Sequence, residues 1–204
     1  MELDAFVDNL ASSSPAPGGG AASALVGCLA AALNSMMCNL TVGRPRYAGV
    51  EAELVEVLVS SEDLRARLRR LMHDDERAYT ELMAQYALPK GSDEEKAVRL
   101  AAVEAALKRA ADVPLATAEA CVSLLELLHA TAEKGNVNAV SDAGAAAFLA
   151  NAAAQASLLN VRTNAGLMKD REAADEYLAQ MTTVSSNATA ASERVVAAAL
   201  GRIK

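Results

Sequence analysis

Between Ser12 and Gly43 the chain carries no charged residue. The stretch opens with three serines, Pro15, Pro17 and the run Gly18-Gly19-Gly20, then continues to Val42 in alanine, small polar and apolar residues. Its prolines and glycines predict a turn first. From Gly20 to Val42 the pattern predicts one helix, about 35 Å long at 1.5 Å per residue. A helix that is small or apolar on every side belongs in the interior, so the other helices are expected to pack around it. Its length also suits a membrane span. Ser23, Asn34, Ser35, Asn39 and Thr41 punctuate it, however, and no basic cluster precedes it. A buried core helix is therefore the better reading, and no membrane association is expected. The glycine run lacks the Lys-Ser/Thr of a phosphate-binding loop; close backbone packing explains it, and anion binding at the helix N-terminus is compatible with that.

Alanine supplies much of the 52% hydrophobic content over 204 residues, and aromatics only 3%. An alanine-rich core buries little area per residue, which favours long helices in close contact and extra burial at a subunit interface. The net charge of −7 argues against nucleic acid as a partner. Cys28, Cys38 and Cys121 are odd in number and lie in apolar helical stretches, so they read as buried reduced thiols. They and the two histidines, His73 and His129, show no zinc-ligand spacing. With no signal-peptide pattern at the start, a cytoplasmic location is expected.

The remaining elements all have helical periodicity. Glu2 to Ala11 is a short amphipathic helix with Leu3, Phe6, Val7 and Leu10 on one face. Gly43 and Pro45 stop the central helix. A long helix follows from about Tyr47 to Tyr86. Ser92 and Glu95 form a capping box for the next, which Asp112-Val113-Pro114 is expected to break or kink before it resumes and ends at Gly135. Ser141 is a plausible N-cap for the following helix, and Asp170 starts the last. The reading is all-α: a single multihelical domain, residues 1–204, around a buried central helix.

One residue breaks the apolar stripe of the Tyr47–Tyr86 helix. Asp75 lies four after Leu71, three after Met72 and four before Tyr79, which turns a carboxylate inward. An inward carboxylate is costly unless it is paired or used. His73, Asp74 and Glu76 fall off the stripe and are expected to be solvated. In the helix after Ser141, the face of Asp142, Ala146, Leu149, Ala153, Ala156, Asn160, Asn164 and Leu167 is mostly small and apolar apart from Asp142 and the two amides. Buried amides must find partners on the backbone, on another helix or on a ligand.

Ser12-Ser13-Ser14-Pro15-Ala16-Pro17-Gly18-Gly19-Gly20 and the small-residue helix ending Asn39-Leu40-Thr41-Val42-Gly43 resemble the cyclodeaminase/cyclohydrolase family of folate enzymes. Asp75-Glu76-Arg77-Ala78-Tyr79, Asp112-Val113-Pro114-Leu115, the loop Lys134-Gly135-Asn136 through Asp142, and Asn160-Val161-Arg162-Thr163-Asn164 agree in order. The resemblance implies a multihelical fold, a homodimer, no metal and no cofactor beyond a tetrahydrofolate derivative as substrate, possibly polyglutamylated. No formiminotransferase half is present in this sequence. Two reactions are implied: hydrolysis of 5,10-methenyltetrahydrofolate to 10-formyltetrahydrofolate, or cyclisation of formiminotetrahydrofolate with loss of ammonia. A folate-binding helical dimer without turnover is the non-enzymatic alternative. Each reaction needs a carboxylate that stabilises an amidinium and moves a proton.

Asp75 is the expected base or proton shuttle, with Asp142, or the amides of Asn136 and Asn138, orienting the water or the pterin. Tyr79 is a candidate for lining the pterin pocket. Lys90, Lys134 and Arg162 are candidates for the glutamate carboxylates. Gly18, Gly19, Gly20, Asn160 and Asn164 complete the candidate substrate-binding set.

Overall fold

The computed structural model describes residues 2–203. Six α-helices fill it: α1 (Leu3–Ala11), α2 (Gly19–Thr41), α3 (Glu51–Tyr86), α4 (Asp93–Lys134), α5 (Val140–Leu167) and α6 (Arg171–Leu200). Short 3-10 turns, Pro45–Val50 and Val137–Ala139, precede α3 and α5. No strand occurs among the described residues. The all-α expectation therefore holds. α4 lies against α2, α3, α5 and α6, while α2 packs between α3 and α5. The main core joins alanines of α2, α4, α5 and α6 with Leu68, Leu124, Leu125, Leu128 and Val161. Side chains this small let helices approach closely: a Cβ added at Gly27 would meet the Cys121 sulfur at 2.8 Å.

Local signals set the helix ends. Gly43 takes φ +74° just past α2, a left-handed stop that glycine adopts without strain. Ser92 and Glu95 form the expected capping box, and the Asp170 carboxylate accepts the Ala173 N–H. Ser141 is not the N-cap of α5. The helix begins at Val140, and Asn136 instead caps the 3-10 turn ahead of it by accepting the Asn138 N–H. In α1 only Phe6 is buried, against Ala21, Ala24, Leu71 and Met72; Leu3, Val7 and Leu10 stay exposed.

α4 is not broken at Pro114, one of the two outcomes expected there, and runs on as a single helix. Proline has no N–H to give the carbonyl four residues back, which is that of Ala110. The Asn164 side-chain amide of α5 donates to this carbonyl at 2.7 Å, so the orphaned acceptor is satisfied from a neighbouring helix. Asn164→Ala should lower stability by about 1–3 kcal/mol, the usual cost of a buried carbonyl left unpaired. Urea unfolding measures this, and an unchanged midpoint would show that water replaces the amide.

α2 and α4 each contain an apolar window long enough to cross a bilayer; about half of each window, 56% and 50%, is buried in the fold. Within one chain, α2 is covered on all but one side. Leu29, Ala32, Met36 and Leu40 form an uncovered stripe on it.

Candidate active site

The start of α2 lies against α3 at Asp75. The backbone N–H of Ala21, in the first turn of α2, lies close enough to its carboxylate to favour the ionised form. A Cβ at Gly20 would lie 2.5 Å from the Asp75 carboxyl carbon, so the absence of a side chain there makes room for the acid. No ion pair reaches Asp75 among the described residues. Burial is the main influence on its proton and raises the pKa above the usual carboxylate range; the Ala21 N–H opposes this, and the charge of Glu76 adds to the rise.

This acid borders a cleft of about 340 Å³. Gly18, Gly19 and Gly20 line the end beside Asp75 and Glu76. Tyr79, Met83 and Tyr86 continue along α3, so the wall runs about 16 Å from Asp75 to Tyr86 at helical rise. Asn160, Thr163, Asn164 and Leu167 of α5 form the opposite wall. Asn160 reaches the glycine run: a Cβ at Gly19 would sit 3.9 Å from its amide nitrogen. The cleft is thus acidic at one end and aromatic and apolar along its length.

Seven of the candidate residues share this cleft: Gly18, Gly19, Gly20, Asp75, Tyr79, Asn160 and Asn164. The others do not join it within one chain. Asp142 lies eighteen residues from Asn160 on the same helix, about 27 Å away, so the pairing of Asp75 with Asp142 in one chain's pocket is not formed. Asn136 donates to the Leu40 carbonyl and accepts the Asn138 N–H; Asn138 borders a separate hollow near Arg202. Lys134 is held by Glu53 at 2.7 Å. Arg162 points to solvent, and Lys90 lines a groove beside the cleft.

Glu76 was missed. Its position next to Asp75 places it about 100° around the helix and off the apolar stripe. Yet it lines the cleft, and its Oε1 is buried without a hydrogen-bond partner. Only the packing of α5 and the glycine turn over α3 makes that flank concave. No cluster of three or more metal-ligating side chains occurs among the described residues.

The sequence model of a family described as formiminotransferase-cyclodeaminase matches residues 2–183. The chain is 44% identical over 193 residues to a methenyltetrahydrofolate cyclohydrolase of Methylorubrum extorquens, covering 95% of this chain and 93% of that protein. It is 34% identical to the rat formimidoyltransferase-cyclodeaminase over 145 residues, 71% of this chain but 27% of the longer protein. The crystal structure of a formiminotetrahydrofolate cyclodeaminase from Thermotoga maritima superposes with a TM-score of 0.88 at 31% identity, over 98% of this chain and 96% of that one.

Proposed function

The chain belongs to the formiminotransferase-cyclodeaminase family, and on that footing we propose that it is a methenyltetrahydrofolate cyclohydrolase. One observation carries the reading: a half-buried carboxylate with no cationic partner, Asp75, faces an acid-ended cleft beside the bare start of α2. The substrate's bridge carbon lies between N5 and N10 in a cationic amidinium. Asp75 and Glu76 attract that cation, and Tyr79 and Tyr86 supply aromatic surface for the flat rings behind it. As the water oxygen bonds to the bridge carbon, the Asp75 carboxylate takes a proton from it. The same proton passes to N5 as the N5–carbon bond breaks, and the remaining hydroxyl proton leaves to solvent as the formyl carbonyl forms on N10. The balance is one water consumed and one proton released.

Absorbance of 5,10-methenyltetrahydrofolate tests this directly. The protein should accelerate its loss; no acceleration would overturn the reading. Release of ammonia from 5-formiminotetrahydrofolate would favour the cyclodeaminase activity carried by the name of the Thermotoga relative. The three unpaired thiols suit a reducing compartment and support a cytoplasmic location, which cell fractionation checks.

The partner proposed is a second copy of this chain. On α5, Ala145, Phe148, Ala152, Ala156 and Leu159 form an exposed apolar stripe beside that of α2, with Phe148 63% and Leu159 67% exposed. Its residues are arranged symmetrically about Ala152. Two antiparallel copies of α5 centred there set Ala145 against Leu159, Phe148 against Ala156, and Asp142 against Arg162, so that small meets large and acid meets base. Neither Asp142 nor Arg162 has a side-chain ion pair among the described residues. Such a pair brings Asp142 of one copy near Arg162, two residues from Asn160 in the other's cleft. Sedimentation should show a dimer, and Phe148→Asp a monomer. A monomeric parent protein would refute the pairing.

A further inference from the structure

Asp75 has a task in the reaction proposed above; its neighbour Glu76 has none beyond its charge. The Glu76 carboxylate lines the same end of the cleft. Its Oε1 is buried and takes no hydrogen bond, and no cation pairs with it among the described residues. The adjacent cation, Arg77, is turned to Asp74 at 2.6 Å. A buried carboxylate oxygen without a donor is costly, and the chain itself supplies none. The start of α2 offers the opposite polarity. The first N–H groups of a helix have no intrahelical partner, and Gly18 gives α2 no side-chain cap. The Gly19 and Gly20 N–H groups have no acceptor among the described residues. Both glycines line the cleft at the Glu76 end, which therefore presents free donors and a free acceptor together.

Resting on the folate reading above, we infer that Glu76 and the start of α2 hold the pyrimidine edge of the substrate's pterin ring, Glu76 accepting from N3–H and the 2-amino group and a glycine N–H donating to O4. Along that edge the ring runs acceptor, donor, donor. The site supplies the complement: a backbone donor beside the two oxygens of one carboxylate. Two oxygens in one plane suit two parallel N–H donors. No Cβ at Gly19 or Gly20 keeps the ring edge from the backbone. Side chains of neighbouring helical residues diverge by about 100°, so the two acids meet the bound molecule at different points. Asp75 stays with the bridge carbon, and Glu76 takes the far edge of the ring. Glu76 thus sets which ring is held and moves no proton.

Two measurements test it. In the first, pterin and lumazine, which has an oxo group where pterin has the 2-amino group, are titrated into the intact protein and followed by their fluorescence. The pH is kept below neutral, where both rings are uncharged. Pterin should bind about tenfold tighter, the value of one hydrogen bond to a charged group. The preference should disappear in Glu76→Gln, which sets an amide N–H against a ring N–H. In the second, Glu76→Gln should raise KM for 5,10-methenyltetrahydrofolate by about 10–100-fold with a smaller loss in kcat, and should leave the melting curve unchanged. A proton-moving group would show the reverse split. Equal binding of the two rings by the parent protein, binding of neither, a preference that survives in Glu76→Gln, or an unchanged KM overturns the assignment; with turnover by the parent, the function stands. A parent that binds pterin through Glu76 and does not hydrolyse 5,10-methenyltetrahydrofolate keeps the ring site and overturns the functional reading.

Discussion

Asp75→Asn should lower kcat for methenyltetrahydrofolate hydrolysis by about 10²–10⁴-fold, the usual contribution of a positioned general base, and yet leave the protein at least as stable at neutral pH. The two halves of this expectation come from one fact. Burial raises the Asp75 pKa in the folded chain. A carboxyl whose folded pKa exceeds its unfolded value binds protons more readily in the native state. Its stabilising contribution is therefore complete below the unfolded value near 3.8 and is lost as pH rises through the raised folded value. Above that window the ionised acid is a liability that asparagine removes. Activity follows the opposite course, because the base must be ionised: kcat should rise with pH along a limb set above the ordinary carboxylate range, and that limb should vanish in the variant. Stopped absorbance assays and thermal melts from pH 4 to 8 give both readings. A variant that keeps its activity, or that melts well below the parent at pH 7, contradicts the role assigned to Asp75.

Gly20→Ala should be the more damaging of two neighbouring glycine changes. Carbon atoms pack at about 3.5–4.0 Å, and the new methyl would stand 2.5 Å from the Asp75 carboxyl carbon. Either α2 shifts or Asp75 swings out of the cleft. Overpacking of this kind costs about 1–3 kcal/mol, and a misplacement near 1 Å costs up to about 10²-fold in rate. At Gly19 the added methyl meets the Asn160 amide at an ordinary 3.9 Å, so Gly19→Ala should retain most of the activity. Parallel melting curves and kcat values for the two variants decide it. Equal effects at both positions would mean that the glycine run matters as a turn and not as the seat of the acid.

Much of this was legible in the residues themselves. The uncharged run marked α2, the glycine at 43 and the Ser92/Glu95 pair marked helix ends, and the spacing of Leu71, Met72, Asp75 and Tyr79 turned one carboxylate inward. These are local properties: a cap acts within a turn, and helical period reports which way a side chain faces. Periodicity gives direction around a helix but not which element lies opposite, nor at what height. Packing alone brought Gly20 under Asp75, hollowed the flank at Glu76, and set the Asn164 amide on the carbonyl that Pro114 leaves free, in a helix that continues where a break or a kink was expected. That Asp142 lies about 27 Å from Asn160 followed from eighteen residues of helix, but only packing decided that the Asn160 end of α5 is the one that meets Asp75.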